Sequence, residues 1–264
     1  MTLICASADL GEVAVYCASP QAASFWCHRL TRQAMTGQLL ADGAVYAHAA
    51  ALSITGKGVI ICGPRGAGKS TTLLAALRHL GADYVTNDRL LIQPGNTQLT
   101  AYPWPDRIRA GVGMLSAIPE LADLIPAPAQ NLTAEQLWRW PDKVSIPPQD
   151  FPRLLHGGAL AASCRPHLMV WPHLDPARTG ARATAVSPHE VAHTLAATRL
   201  FMRDLTGGVS SRINHWLFPA PGGPQRVDAA VAALAEQVPC YRIQAGGDPR
   251  AIAEQLDTLL TVIR

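Results

Sequence analysis

The stretch Gly63-Pro64-Arg65-Gly66-Ala67-Gly68-Lys69-Ser70-Thr71 has the spacing G-x-x-x-x-G-K-S/T, and each position that this pattern fixes has a chemical use. Gly63, Gly66 and Gly68 let the backbone fold tightly, so that successive N–H groups point at one spot. The positive end of a following helix adds to that field, and the Lys69 ammonium reaches the same anion. Ser70 offers a hydroxyl for Mg²⁺, and Thr71 steadies the first helical turn. The pattern predicts a cradle for the phosphates of a nucleoside triphosphate. A glycine-rich turn that binds nothing is the bland alternative, and the flanks argue against it. Residues 58–62, GVIIC, suit a buried strand, and Lys69 to Leu80 carries Leu73, Leu74, Leu77 and Leu80 on one side of a helix that Gly81 ends.

A second constellation competes. His189-Glu190-Val191-Ala192-His193 matches H-E-x-x-H, in which two histidines one turn apart bind zinc and the glutamate acts as a base. The same residues also form a capping box, with Ser187 at the N-cap, Pro188 at N1 and Glu190 at N3, its carboxylate expected to turn back to the N-cap N–H. A zinc site needs a third ligand, and 193–199, HTLAATR, supplies none. A metalloprotease is therefore the minor reading.

Cation usage marks further candidates. The chain has only three lysines, 57, 69 and 143, among its 22 basic residues. A lysine that persists in such an arginine background is one that needs a compact ammonium. Lys69 is in the loop, and Lys143 becomes a candidate for meeting the transferred group or the substrate. Arg107 and Arg109 are similar candidates, and Lys143 as a solvated turn lysine is the plain alternative. The N-K-x-D guanine reader of GTPases and the LSGGQ-like segment of ABC ATPases are absent.

His48, in an expected strand before the loop, and the Asn87-Asp88 step, expected on a strand after the loop helix, complete the pattern. Residues 47–92 resemble the catalytic core of the HPr kinase/phosphorylase family and its smaller relatives, the lasso-peptide serine kinases, and the resemblance is looser over 93–264. It implies an α/β fold with a phosphoenolpyruvate-carboxykinase-like P-loop core, a mixed sheet with flanking helices and a loop-rich lid region. It also implies ATP and Mg²⁺ as cofactors, with Ser70 and Asp88 at the metal and with Asp88, His48 and Lys69 as catalytic residues, to which lysine usage adds Lys143. Where that family has two adjacent acidic residues, this chain has Asn87 and Asp88, so one carboxylate remains for both metal ligation and proton acceptance. A packed core histidine at 48 and a strand-end turn aspartate at 88 are the structural alternatives.

These features point to a kinase acting on a peptide, protein or small-molecule hydroxyl. A nucleotide-binding regulatory module is the rival that the lone carboxylate favours. The chain reads as one domain over 1–264, with an N-terminal lobe (1–43), a nucleotide-binding core (44–118), a loop-rich lid or lobe (119–166) and the rest of the core (167–264). A hairpin is expected across Gly56-Lys57-Gly58, and the proline-rich 119–152 is expected to hold no long element. At 48% hydrophobic, no stretch reaches the roughly 18 apolar residues of a membrane span. The N-terminus has no basic region before an apolar run, so no membrane partner and a cytosolic address are expected. Six scattered cysteines without a CxxC pair predict buried, reduced thiols. A net charge of +3 with dispersed basic residues gives no support for a nucleic-acid partner, and a homo-oligomer is left open.

Overall fold

The structure, a computed structural model, describes residues 2–263 apart from 8, 10, 96–97, 105–106, 176, 198–222 and 247. A helix is expected from the sequence over Pro188 to Met202, and its part beyond residue 197 lies outside the described residues. The elements run β1 (Thr2–Ala6), β2 (Val13–Cys17), α1 (Pro20–Ala41), β3 (Val45–Ala47), β4 (Ala50–Ile54), β5 (Lys57–Ile61), α2 (Lys69–Leu80), β6 (Asp83–Thr86), β7 (Leu90–Pro94) and β8 (Leu99–Pro103). Then follow β9 (Ile108–Gly111), α3 (Val112–Ser116), α4 (Ala134–Trp138), β10 (Lys143–Ile146), α5 (Asp150–Leu154), β11 (Pro166–Leu174), β12 (Ala181–Val186), α6 (Pro188–Ala197), α7 (Gly223–Gln237), β13 (Cys240–Ala245) and α8 (Pro249–Val262).

A six-stranded mixed sheet, ordered β12-β13-β11-β5-β4-β6, forms the centre. Its inner strands β13, β11 and β5 are parallel, and its outer pairings are antiparallel. Both faces are covered, which is why β5 reads as a continuous apolar run. Val59 and Ile61 pack under α2 and α8 with Leu73, Leu77, Ile252 and Leu256. Ile60 and Cys62 face the opposite layer with Val231 and Leu234 of α7 and Ile92 of a second sheet, β3-β7-β8. β9 and β10 pair antiparallel as a separate ribbon, and β1 and β2 as another.

Three differences from the sequence reading have clear causes. Residues 44–54 are two strands, because β3 pairs with β7 of the small sheet while β4 pairs with β5 and β6 of the large one. The turn between β4 and β5 is Thr55-Gly56, both at positive φ (49° and 83°), with Lys57 already paired to Ile54. A two-residue turn of that hand matches strand twist. Among the thiols, Cys62, Cys164 and Cys240 are buried, whereas Cys5 and Cys27 are exposed, since they sit on the thinly covered β1 and α1. Burial pushes the Cys62 and Cys164 thiols up to about 12. Between residues 119 and 154 the helical elements are single turns or short 3₁₀ segments, as the proline content predicts.

Lys57 shows why one of the rare lysines is kept. Its Nζ donates to the carbonyls of Leu260 (2.6 Å) and Ile263 (3.0 Å), closing the C-terminal end of α8. That helix packs along α2, whose N-terminus follows the glycine-rich loop. A charged donor on helix-end carbonyls contributes on the order of 1–2 kcal/mol. Lys57→Ala is expected to lower Tm by about 2–8 °C, measured by calorimetry, on the usual entropy scaling for a chain of this size. An unchanged Tm would show that the cap contributes nothing.

Candidate functional site

The loop leaves β5 at the carboxyl end of the parallel pair β5/β11, the edge at which open α/β sheets bind ligands. Gly63, Gly66 and Gly68 have φ of 144°, 85° and 108°, so each uses the freedom that glycine alone has. A Cβ on Gly68 would stand 2.5 Å from the Leu174 side chain, so position 68 is closed to larger residues on two counts. Within the loop, the Ala67 N–H donates to the Pro64 carbonyl at 3.2 Å, and the Thr72 N–H begins α2 by donating to Gly68 at 2.9 Å. Lys69 Nζ donates to the Gly63 (2.7 Å) and Pro64 (3.2 Å) carbonyls, folded over the loop. Burial draws its pKa down from the ordinary lysine value, against the opposing pull of the Asp88 carboxylate.

A cleft of about 890 Å³ opens in front of this loop. Its walls include Pro64, Arg65, Gly66, Gly68, Lys69, Ser70 and Thr71, together with His48, Asn87, Asp88, Arg107, Arg109 and Lys143. Gly63 and Ala67 are loop residues that do not line it. The candidates named from sequence at 48, 69, 88 and 143, more than 90 residues apart at the extremes, thus share one cavity.

The two sheets explain how His48 and Asp88 meet. Neither residue is on a strand, contrary to the sequence expectation. His48 occupies the break between β3 and β4, where the chain passes from the small sheet to the large one, and Asn87-Asp88-Arg89 occupies the return step between β6 and β7. Two neighbouring crossings free both side chains from sheet pairing. His48 Nε2 lies 3.0 Å from Asp88 Oδ1, and Arg89 Nε lies 3.7 Å from Asp88 Oδ2. The His48 hydrogen bond holds the Asp88 carboxyl below its usual range, helped by the His48, Arg89 and Lys69 charges and opposed by partial burial. His48 is half exposed, so it is no packed core histidine.

Asn87 is held as well. The hydroxyl of the buried Tyr84 donates to Asn87 Oδ1 at 3.1 Å, which directs the amide N–H groups away from Tyr84. Ser70 and Asp88 both line the cleft, and a hydroxyl plus one carboxylate is the sparse oxygen set with which Mg²⁺ is held beside substrate phosphates. Among the described residues, no group of three or more His, Cys, Asp or Glu forms a metal site by itself.

The β9/β10 ribbon makes the facing wall, which sequence reading missed as a pair of strands. Its period-two alternation buries Ile108, Ala110 and Ile146 in the core. Arg107, Arg109, Lys143 and Ser145 fall on the other, exposed face, with Ser145 opposite Arg109 and Lys143 opposite Gly111. Arg107 donates through Nε and Nη2 to the Ser145 hydroxyl (2.7 Å) and carbonyl (3.3 Å), which sets its orientation. Trp138 lines the same wall and is 65% exposed. The signal for this ribbon is the I-x-A alternation at 108–110, hidden by its distance from V-x-I at 144–146.

The H-E-x-x-H residues lie apart from the cleft. His189, Glu190 and His193 are exposed on α6. Ser187 Oγ accepts from the Glu190 N–H at 3.2 Å, as an N-cap does. The Glu190 carboxylate, expected to turn back to the N-cap, instead pairs with Arg242 Nη2 at 2.8 Å. No third ligand for zinc is found among the described residues.

No family model matches the chain, and no curated protein matches it. Among solved structures it is similar to the Hpr(Ser) kinase/phosphatase from Coxiella burnetii, at 15% identity and a TM-score of 0.36, over 82% of this chain and 96% of that one. No described helix is long and apolar enough to cross a membrane.

Proposed function

We propose that this protein is a kinase that uses ATP and Mg²⁺ to phosphorylate a hydroxyl, on serine or threonine of a peptide or protein. The observation that carries the reading is the His48–Asp88 pair, 3.0 Å apart, in the same cleft as the glycine-rich loop and Lys69. A carboxylate kept ionised by a neighbouring donor, opposite a phosphate cradle, is the arrangement that general-base phosphoryl transfer needs.

In this reading the backbone N–H groups of 65–70 and the Lys69 ammonium hold the β- and γ-phosphates. Ser70 and Asp88 would hold Mg²⁺ together with the phosphates, and the ion would supply neutralisation of charge on the phosphate oxygens. Asp88 Oδ2, the oxygen not bonded to His48, takes the proton of the acceptor hydroxyl as its oxygen bonds to the γ-phosphorus. The bond from phosphorus to the β–γ bridging oxygen breaks, and ADP leaves. His48 fixes the carboxylate's direction. Asn87, turned by Tyr84, offers an amide donor in the place of a second carboxylate.

The test is incubation of the full chain with γ-labelled ATP, Mg²⁺ and a pool of serine- and threonine-containing peptides and proteins. Acceptor-dependent transfer of label is the expected result. Tight MgATP binding with no transfer to any hydroxyl would instead identify a nucleotide-binding regulator, and no binding would remove both readings.

A further inference from the structure

We infer that the acceptor is an acidic peptide segment, its carboxylates held by the exposed face of the β9/β10 ribbon; the inference rests on the kinase reading of the same cleft. Among the described residues that line the cleft, six are cations, at 65, 69, 89, 107, 109 and 143, and one, Asp88, is a carboxylate. MgATP carries about two net negative charges once Mg²⁺ is bound, and Arg65 and Lys69 in the loop suffice for them. Arg89 already stands beside Asp88. Arg109 and Lys143 are thus in excess of what the nucleotide requires, and like charges gathered in one cleft repel unless an anion joins them.

Their spacing favours a peptide over a single small anion. Strands rise about 3.3 Å per residue, so Arg109 and the level of Gly111, where Lys143 stands, are about 7 Å apart along the ribbon. Alternate side chains of an extended peptide repeat at that same interval of about 7 Å. Acidic residues at alternate places along a strand meet both of these positions in register. Among the described residues no salt bridge engages Arg109 or Lys143, and Arg107 is aimed by its bonds to Ser145. Trp138, half of whose indole and more is open, stands beside the ribbon as a surface for an apolar residue of the same segment.

The experiment compares a serine-centred peptide library carrying Asp and Glu at alternate flanking positions with its isosteric Asn and Gln counterpart, alongside MgATP binding to the same wild-type preparation. The expected result is a kcat/KM at least tenfold higher for the acidic library, a preference that shrinks as salt rises. Arg109→Glu should reverse the preference toward a library with Lys at those positions, a change that general damage to the fold does not produce. Equal use of both libraries overturns the inference and leaves the kinase reading standing, whereas transfer to neither while MgATP binds overturns the inference and counts for the nucleotide-binding regulator. Absence of MgATP binding overturns the kinase reading itself.

Discussion

Asp88→Asn is expected to slow phosphoryl transfer by about 10²–10⁴-fold, the usual worth of a general base, with MgATP affinity changed by no more than about tenfold. Asparagine is isosteric, and its Oδ1 still accepts the hydrogen bond that His48 Nε2 makes at 3.0 Å. The variant therefore keeps the geometry and removes the proton acceptor. The affinity change that remains is what one Mg²⁺ ligand contributes. Single-turnover transfer, measured at saturating ATP, separates the two effects.

The pH dependence adds a second readout. The Asp88 carboxyl sits below its ordinary value because of the His48 hydrogen bond first, and of the neighbouring positive charges of His48, Arg89 and Lys69. A depressed carboxyl is charged at every pH above its shifted value. Transfer by the wild type should therefore hold on the acid side until the pH falls past the range of an ordinary aspartate, and the residual rate of Asp88→Asn should lack that acid limb. A variant that transfers at the wild-type rate would place the base elsewhere, with His48 the first alternative.

What could be read in the sequence was what depends on local spacing. The glycine-rich loop between GVIIC and the Leu73-Leu74-Leu77 face was legible because strand, turn and helix are contiguous there. Lys143 was found by its rarity, and the same argument marks Lys57, whose reason is the end of α8 and not the cleft. Asn87 looked like a lost carboxylate, while its bond to Tyr84 gives it a position of its own. The two crossings between sheets were invisible, since 44–54 is apolar throughout and no residue type announces that β3 and β4 pair with different partners. The β9/β10 ribbon was hidden for a similar reason, its partners lying more than 30 residues apart. Long-range pairing decides which side chains share a cavity, and short periodic patterns do not carry it.

Lys69→Met is expected to lower transfer by about 10²–10³-fold, the typical effect of removing one preorganised charge at developing anionic oxygens. Lys69→Arg should be nearly as poor. The ammonium is folded onto the Gly63 and Pro64 carbonyls at 2.7 and 3.2 Å, a space for a compact point charge. A planar guanidinium needs a wider fork and loses one or both of those bonds. Burial already draws the Lys69 pKa down, which marks a cation held short of full solvation, and phosphate oxygens offset that deficit. The substitution to Met should accordingly leave the ligand-free Tm unchanged or slightly raised. The rise in Tm that MgATP gives the wild type should be largely lost, since that rise measures binding to the folded state. Retention of the full ATP-induced rise in Lys69→Met would show that the loop lysine is a structural clasp, and that the triphosphate is held without it.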